Sequence, residues 1–248
     1  MDLKLAGKKA LVTGSSKGIG EAIARKLALE HAIVIVHGRN RVLATTVADD
    51  IIAHGGRAYV VTGDLTHDDE VQQLVNDAEA FAGPIDIVVN NAGGSGRSTE
   101  NWADSRLASW TAAYDRNVLA ALRVSTRLLP KMQQAGWGRV VNISSLAATM
   151  PPASRADYSA CKAALNAMTA SMAKAVASDG VTVNAVSPGT IHSPALDGAS
   201  ARPLQNAGWR TWTRRGPKSN VWRCPSSRRY RWVESGGWRR LRTPLPFL

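Results

Sequence analysis

The sequence predicts an α/β fold built on a doubly wound parallel sheet. Three observations support it: short apolar runs alternate with longer stretches of helical spacing, the runs are rich in β-branched residues, and a glycine-rich turn follows the first run. Strands that alternate with helices form parallel crossovers, and strands covered on both faces are apolar throughout. A chain of 248 residues is long enough for one such domain.

Each element follows from its own local pattern, in chain order. The first strand contains the apolar triplet Ala10-Leu11-Val12, the second is a β-branched run, and the helix after it ends at Gly55 and Gly56. The predicted strands are Lys9–Thr13, Ile33–Val36, Ala58–Thr62, Ile85–Asn90, Arg139–Ile143 and Val181–Val186. The predicted helices are Glu21–Leu29, Val42–His54, Asp68–Phe81, Leu107–Gln134 and the alanine-rich Ala156–Ser178.

The two parts of the chain differ in composition. Residues 198–248 carry 12 Arg or Lys and one acid, Glu234, which gives a net charge of +11, and they hold five of the eight tryptophans. Residues 1–197 hold 19 basic and 18 acidic residues, a net charge of +1. We therefore predict a globular domain over residues 1–197 and an aberrant basic, Trp- and Arg-rich tail over residues 198–248.

Composition also excludes several classes of protein. The chain has no run of 18 apolar residues, so no membrane span is expected. Its first residues lack the basic and apolar regions of a signal peptide. Only Cys161 and Cys224 are present, without the spacing of metal ligands, so we expect no metal site and a reducing, cytoplasmic location.

The glycine-rich turn is a candidate phosphate site. Gly14 permits a tight turn, Gly18 lets the backbone approach a pyrophosphate, and Gly20 lets the helix pack on the strand. Free amides at the helix N-terminus then face the phosphates. Taken alone, the motif also fits an ordinary glycine-rich loop. The predicted cofactor residues of this segment are Gly14, Ser16, Lys17, Gly18, Ile19 and Gly20.

The end of the second strand indicates which dinucleotide binds. An acid there would hold a ribose 2′-hydroxyl, but this chain has Gly38 followed by Arg39. The guanidinium of Arg39 suits a phosphate, and Lys17 adds a second positive charge nearby. The pattern therefore favours NADP over NAD. The alternative is that Arg39 is a solvated surface charge.

The candidate catalytic group is a tyrosine followed by a lysine. Tyr158 and Lys162 are four residues apart on a predicted helix and share a face. A nearby ammonium favours the phenolate, so Tyr158 would act as general acid in reduction and general base in oxidation. Ser145, which follows the fifth strand, would polarise the substrate oxygen, with Ser144 as the rival.

These motifs, in their order, resemble the short-chain dehydrogenase/reductase family over about residues 5–197. The turn has that family's Gly-x-x-x-Gly-x-Gly spacing rather than the commoner Gly-x-Gly-x-x-Gly, and the family spacing favours Ser145 over Ser144. The resemblance implies a Rossmann-type, three-layer αβα fold, and it makes residues 1–197 a dinucleotide-binding catalytic domain. It also implies that Lys162 and Tyr158 contact the cofactor, Lys162 through the nicotinamide ribose hydroxyls.

The resemblance implies further site residues. Asn117 would be the fourth catalytic member, supporting a water in the proton relay; the alternative is an exposed polar residue in a helix. Asp64 would bind the adenine amino group; the alternative is a helix N-cap. The other implied cofactor residues lie after the third, fourth and sixth strands: Leu65, Asn91, Ala92, Gly93, Pro188, Gly189 and Ile191.

The resemblance stops near residue 197. The family's final strand and substrate helix cannot be read from residues 198–248, so we expect both to be missing or altered. The segment could be a disordered basic tail or a nucleic-acid-binding segment, because Arg contacts phosphates and Trp stacks on bases. A shifted reading frame fits better: back-translating Arg229 to Leu248 and reading from the third base permits VPVGRVGRVEEIAHAVAFL, which resembles the family's late helix.

The leading prediction is an NADP-dependent oxidoreductase that transfers a hydride between nicotinamide and a carbonyl or alcohol carbon, with ketoacyl-thioester reduction as one subtype. The alternatives are a catalytically impaired cofactor-binding chain with a frame-shifted C-terminus and a basic nucleic-acid-binding module. The near-neutral charge of residues 1–197 argues against the last. The family pairs its two long helices with those of a partner, so we expect a dimer through 107–134 and 156–178, without a tetramer.

Overall fold

The computed structural model describes residues 3–95, Trp102, residues 105–189 and the backbone of four short strands between residues 213 and 240. Between residues 3 and 189 the strands are β1 Lys9–Val12, β2 Ile33–His37, β3 Arg57–Val61, β4 Ile87–Asn90, β5 Gly138–Ile143 and β6 Val181–Val186. The α-helices of this range are α1 Gly18–Leu29, α2 Arg41–Ala53, α3 Asp68–Ala82, α4 Leu107–Tyr114, α5 Ala120–Gln134 and α6 Ala156–Ala175.

The six strands form one parallel sheet in the order β3-β2-β1-β4-β5-β6. The predicted doubly wound fold is confirmed. The order reverses between β1 and β4, and sheets of this kind bind ligands in the crevice at the carboxyl ends of the strands beside such a reversal. The candidate site is therefore expected at that end.

Alternate residues of the strands enter two separate cores, which makes the sheet the middle of three layers. On β1, Leu11 packs with residues of α3 and α5, whereas Ala10 and Val12 pack with residues of α1 and α2. A third, small cluster joins α4 to α6. Because both faces of the central strands are covered, these strands are apolar throughout, as their sequence predicted.

One predicted helix is interrupted. The sequence indicated a single helix over Leu107–Gln134, but a π-helical turn, Asp115–Leu119, separates α4 from α5. A π turn holds one extra residue without disturbing the apolar spacing on either side, so periodicity alone does not locate it. Such turns are frequent at functional sites.

The chain divides into two compact units, Met1–Ser193 and Pro194–Leu248. In the second unit, four short strands pair antiparallel: β7 Thr213–Arg214, β8 Val221–Arg223, β9 Tyr230–Val233 and β10 Gly237–Arg240. In the part of the chain that the structure describes, none of them joins the parallel sheet, which ends at β6. The prediction that the family's final strand and substrate helix are missing or altered stays a prediction.

Among the helices of the described residues, none combines the length and the apolar character needed to cross a membrane.

Candidate active site and cofactor cleft

A cleft of about 500 Å³ opens where the strand order reverses. Its walls come from the loops after β1, β2, β3 and β4 and from the segment that contains the π turn. The predicted cofactor residues that line it are Gly14, Ser16, Lys17, Arg39, Asp64, Leu65, Asn91, Ala92 and Gly93. Gly18, Ile19 and Gly20 lie in the first turn of α1, beside this wall.

The turn after β1 can adopt its shape only with glycine. Gly14 and Gly18 have φ angles of +63° and +61°, and a Cβ on Gly14 would lie 2.9 Å from the Cα of Ala92. A Cβ on Gly20 would overlap the carbonyl oxygen of Gly14. Lys17 caps α1 without a side-chain hydrogen bond, so the first amides of the helix are open to an anion.

Asn91 and Thr13 hold this turn in place. The side-chain amide of Asn91 donates to the carbonyl oxygens of Thr13 and Gly14, both at 3.0 Å. The hydroxyl of Thr13 accepts from the backbone amides of Asn91 and Ala92, also at 3.0 Å. Thr13 was not among the predicted site residues, although a hydroxyl directly before a glycine-rich turn is a usable signal.

His37 is a second residue that the sequence reasoning missed. It is the last residue of β2, it is buried, and its ring lines the cleft. Nδ1 lies 3.1 Å from the Gly14 amide nitrogen, and Nε2 lies 3.1 Å from the Gly63 carbonyl oxygen. Burial lowers the pKa of His37 from 6.5 to about 4. A lone histidine ending an apolar strand could have drawn attention to it.

The mouth of the cleft carries a charged pair. Arg39 Nη1 donates to Asp64 Oδ2 at 3.4 Å, and the Arg39 side chain is 77% exposed. Gly38 lets this loop lie against the neighbouring turn, since a Cβ there would be 2.8 Å from the hydroxyl of Ser16. An exposed ion pair of this kind is weak, so the guanidinium can exchange partners at little cost.

Asp64 does not cap the following helix. The N-cap of α3 is His67, and Asp64 Oδ1 instead accepts from the backbone amide and hydroxyl of Thr66 at 3.0 and 2.8 Å. Both hydrogen bonds lower the pKa of Asp64, and the bond from the Thr66 amide has the larger effect. The helix-cap alternative is therefore wrong, and the second carboxylate oxygen faces Arg39.

Lys162 and Tyr158 lie on one face of α6, as predicted. Lys162 is buried, its Nζ donates to the carbonyl oxygen of Ile143 at 2.8 Å, and it lies 5.7 Å from the centre of the Tyr158 ring. Burial lowers the pKa of Lys162 to about 8, because the ammonium loses hydration. The group is still mainly charged at neutral pH.

Asn117 meets Lys162 at the loop after β4. It lies in the π turn and is 1% exposed, so the alternative of an exposed polar residue is wrong. Its side chain exchanges two hydrogen bonds with the backbone of Gly94, at 2.9 and 3.0 Å. A Cβ placed on Gly93 would lie 2.7 Å from Asn117 Oδ1 and 3.6 Å from Lys162 Nζ, so both side chains converge there.

The two serines after β5 point differently. Ser144 is buried and its hydroxyl donates to the carbonyl oxygen of Lys162 at 3.3 Å. Ser145 is half-buried, and its oxygen accepts from the Ala147 amide at 3.2 Å, which leaves its hydroxyl proton to donate elsewhere. Of the two serines, Ser145 therefore keeps a hydroxyl proton for a further partner, and its contact with a substrate oxygen stays a prediction.

Pro188 lies beside Ser145. The Leu146 amide donates to the Pro188 carbonyl oxygen at 2.9 Å, which brings the segment after β6 next to the segment after β5. Gly189 follows, and no atom of the described residues lies within 4 Å of a Cβ built on it. Ile191, the last of the predicted cofactor residues, lies outside the described residues.

A buried row of polar side chains runs beneath the site and was not predicted. The Asn90 amide nitrogen donates to Ser125 and Asn142 at 2.9 and 2.8 Å, and the Asn142 amide nitrogen donates to Thr169 at 2.9 Å. The row therefore ties β4 and β5 to both α5 and α6. It fixes the strand ends from which Asn91 and Ser144 continue.

The geometry suits a dinucleotide and proton transfer. The cleft offers free helix amides, two cations at its mouth and closely approaching glycines, which fit a phosphate-bearing adenosine group. Of the predicted catalytic residues, Asn117 and Lys162 converge on Gly93, which lines this cleft. Within the described residues, no three His, Cys, Asp or Glu side chains are arranged to hold a metal ion.

Comparison with known proteins agrees with this geometry. A family model described as short chain dehydrogenase matches residues 8–203. The chain is 37% identical over 187 residues to the ketoacyl reductase HetN of Nostoc sp. strain PCC 7120. That match covers 75% of this chain and 64% of HetN, so the chain spans less than two thirds of this relative's length.

Two solved structures share the fold. A 3-oxoacyl (acyl-carrier-protein) reductase from Agrobacterium tumefaciens C58 with NADP bound superposes with a TM-score of 0.75 at 35% identity, covering 80% of this chain and 76% of that one. A 7α-hydroxysteroid dehydrogenase complexed with NADH and 7-oxo glycochenodeoxycholic acid gives a TM-score of 0.76 at 34% identity, covering 79% and 76%.

Proposed function

The chain belongs to the short-chain dehydrogenase family and is thus an NAD(P)-dependent oxidoreductase, and from that premise we propose that it reduces a carbonyl, or oxidises the corresponding alcohol, with NADP. The observation that carries the proposal is the convergence of Asn117 and Lys162 on Gly93, with Tyr158 one helical turn from Lys162. Gly93 in turn lines the cleft that would hold the dinucleotide.

Each catalytic side chain has one task in this proposal. The bound nicotinamide supplies or accepts the hydride. Tyr158 donates a proton to the carbonyl oxygen in reduction and removes it in oxidation. Ser145 donates a hydrogen bond to the same oxygen, where negative charge develops. Lys162 places a positive charge beside the phenol, and Asn117 holds the Gly93–Gly94 loop against it.

The preference for NADP rests on residues at the cleft mouth. Arg39 and Lys17 supply two positive charges for a 2′-phosphate, and Gly38 stands where an acid would repel it. Of the two related structures, one holds NADP and the other NADH, so the family alone does not decide. In this proposal Arg39 would leave Asp64 for the phosphate, and Asp64 would then be free to accept a hydrogen bond from the adenine amino group.

A 3-ketoacyl thioester is the substrate class that we propose first. HetN is named a ketoacyl reductase and the Agrobacterium relative a 3-oxoacyl reductase, and both align over the part that carries the catalytic residues. We also propose a dimer through residues 107–134 and 156–178, because Leu107 and Tyr114 of α4 are exposed and a partner would cover them.

A second candidate function is cofactor binding without efficient turnover. The observation that favours it is that the family model matches residues 8–203 and so stops before most of the basic tail. In this case residues 1–197 still bind the dinucleotide, and residues 198–248 replace the substrate-binding region, as a shifted reading frame would cause.

One experiment separates the two functions. The full chain is titrated with NADPH and NADH by calorimetry, and then assayed at 340 nm against a panel of ketones, hydroxysteroid ketones and 3-ketoacyl thioesters. NADPH binding with turnover that the Tyr158→Phe variant loses supports the reductase. Binding without turnover on any substrate supports the second candidate, and no binding of either nucleotide contradicts both.

A further inference from the structure

His37 joins two segments that the nucleotide must bridge. Its ring contacts Gly14, which opens the phosphate-binding turn, and Gly63, which directly precedes Asp64. A backbone amide can only donate and a carbonyl can only accept, so Nδ1 is the acceptor and Nε2 carries the proton. Both bonds therefore need the neutral imidazole in this one tautomer.

The two ring bonds are additional to those that hold the strand. The backbone of β2 is already paired with β1 and β3, with His37 opposite Val61, and the backbone of His37 also exchanges hydrogen bonds with Ser15 at 2.8 and 2.9 Å. The ring bonds reach beyond the ends of β1 and β3, to loops that line the cleft. The ring bonds therefore fix the distance between these two loops, whereas the backbone pairing holds the sheet.

We propose that His37 is a positioning residue for the adenosine 2′-phosphate half of the cofactor. Its neutral ring sets the spacing between the phosphate-binding turn and the segment whose Asp64 holds Arg39, and thereby sets the affinity for the nucleotide. The proposal rests on the proposed function only in assuming that the cleft binds this nucleotide. Among the described residues, the side-chain hydrogen bonds of His37 go to Gly14 and Gly63 and none goes to Tyr158.

Three substitutions separate the two ring bonds. His37→Phe keeps the ring volume and removes both bonds, which leaves the Gly14 amide and the Gly63 carbonyl without their partner. His37→Asn places a carboxamide oxygen near the position of Nδ1, where it can still accept from Gly14. His37→Gln reaches further, toward the position of Nε2, where its amide nitrogen can donate to Gly63. His54→Gln, an exposed histidine at the end of α2, is the matched control.

The test measures binding apart from chemistry. Dissociation constants of the full chain for adenosine 2′,5′-bisphosphate and for NADPH are determined by calorimetry at pH 7.5, with kcat at saturating NADPH as a separate readout. We expect His37→Phe to weaken both ligands by about tenfold, or about 1.4 kcal/mol, and to change kcat less than about twofold. The dissociation constants of His37→Asn and His37→Gln should lie between those of His37→Phe and the native chain. Those of His54→Gln should equal the native values.

The outcomes distinguish this inference from the proposed function. If the native chain binds neither ligand, both the role of His37 and the proposed function are overturned. A native chain that binds them while folded His37 variants bind equally well overturns the role of His37 alone. Circular dichroism establishes folding, and if His37→Phe does not fold, the Asn and Gln variants decide the question by the same affinities. A loss of kcat with unchanged affinity would also contradict a role in binding the adenosine half.

Discussion

Lowering the pH should destabilise the native protein through His37. The pKa of His37 is lowered from 6.5 to about 4 by burial, so the unfolded chain takes up a proton near pH 6.5 whereas the folded chain resists until about pH 4. The unfolded state binds more protons in this window, so stability falls as the pH falls through it. At about 1.4 kcal/mol per pH unit, the loss is about 3 kcal/mol, a large share of an ordinary unfolding free energy of about 5–15 kcal/mol.

The measurement is a urea unfolding series at pH 7, 6, 5 and 4 on the native chain and on His37→Asn. Carboxylates such as Asp64, whose pKa is also lowered, destabilise both proteins at low pH and cancel in the difference. The charged groups that act on His37, Asp64 and Arg39, are present in both. We expect the native chain to lose about 3 kcal/mol more than the variant between pH 7 and pH 4, as derived from the pKa difference. Parallel curves would refute the reasoning, and His54→Gln should follow the native curve.

Four further outcomes are expected. Arg39→Asp should weaken NADPH by about tenfold or more and NADH much less, measured by calorimetry, because the phosphate loses a charged partner and gains a repulsive one; equal losses would contradict the 2′-phosphate role. Tyr158→Phe should lower kcat about 10²–10⁴-fold with little change in NADPH affinity, whereas Lys162→Ala should harm both. In the native chain, NADPH affinity should fall as the pH rises through about 8, where Lys162 loses its charge, and a flat profile to pH 9 would speak against this. Gly20→Ala should lower the unfolding free energy by about 1–3 kcal/mol and weaken NADPH, since its Cβ meets the Gly14 carbonyl; native-like urea curves would count against this close packing.

The sequence predicted the strands and the cleft because these depend on local patterns. β-branched runs located β2 and β6 to within a residue, and the glycine spacing located the turn after β1. Composition also predicted a basic tail separate from the domain, and that division stays a prediction. These signals act over a few neighbouring residues and need no knowledge of tertiary contacts.

Other features depended on contacts between distant residues. Ser144 and Ser145 follow an extended strand, where successive side chains point to opposite faces, and only the packing of α6 decides which one turns inward. His37 bonds to Gly14 and Gly63, which lie 23 and 26 residues away in the chain. Asn90 and Asn142 meet only because β4 and β5 are in register. No single-sequence pattern contains such information.

The π turn makes the position of Asn117 sensitive to insertions and deletions rather than only to substitutions. Each residue of a helix turns the chain by about 100°, so removing one residue between Leu107 and Arg116 would rotate every earlier side chain of α4 relative to Asn117. The chain could compensate for that loss by converting the π turn to α geometry. Either Asn117 would then lose its hydrogen bonds to Gly94, or α4 would lose its packing on α6. A natural relative with a one-residue gap here should therefore lack the π turn and hold the Gly93–Gly94 loop by a different side chain.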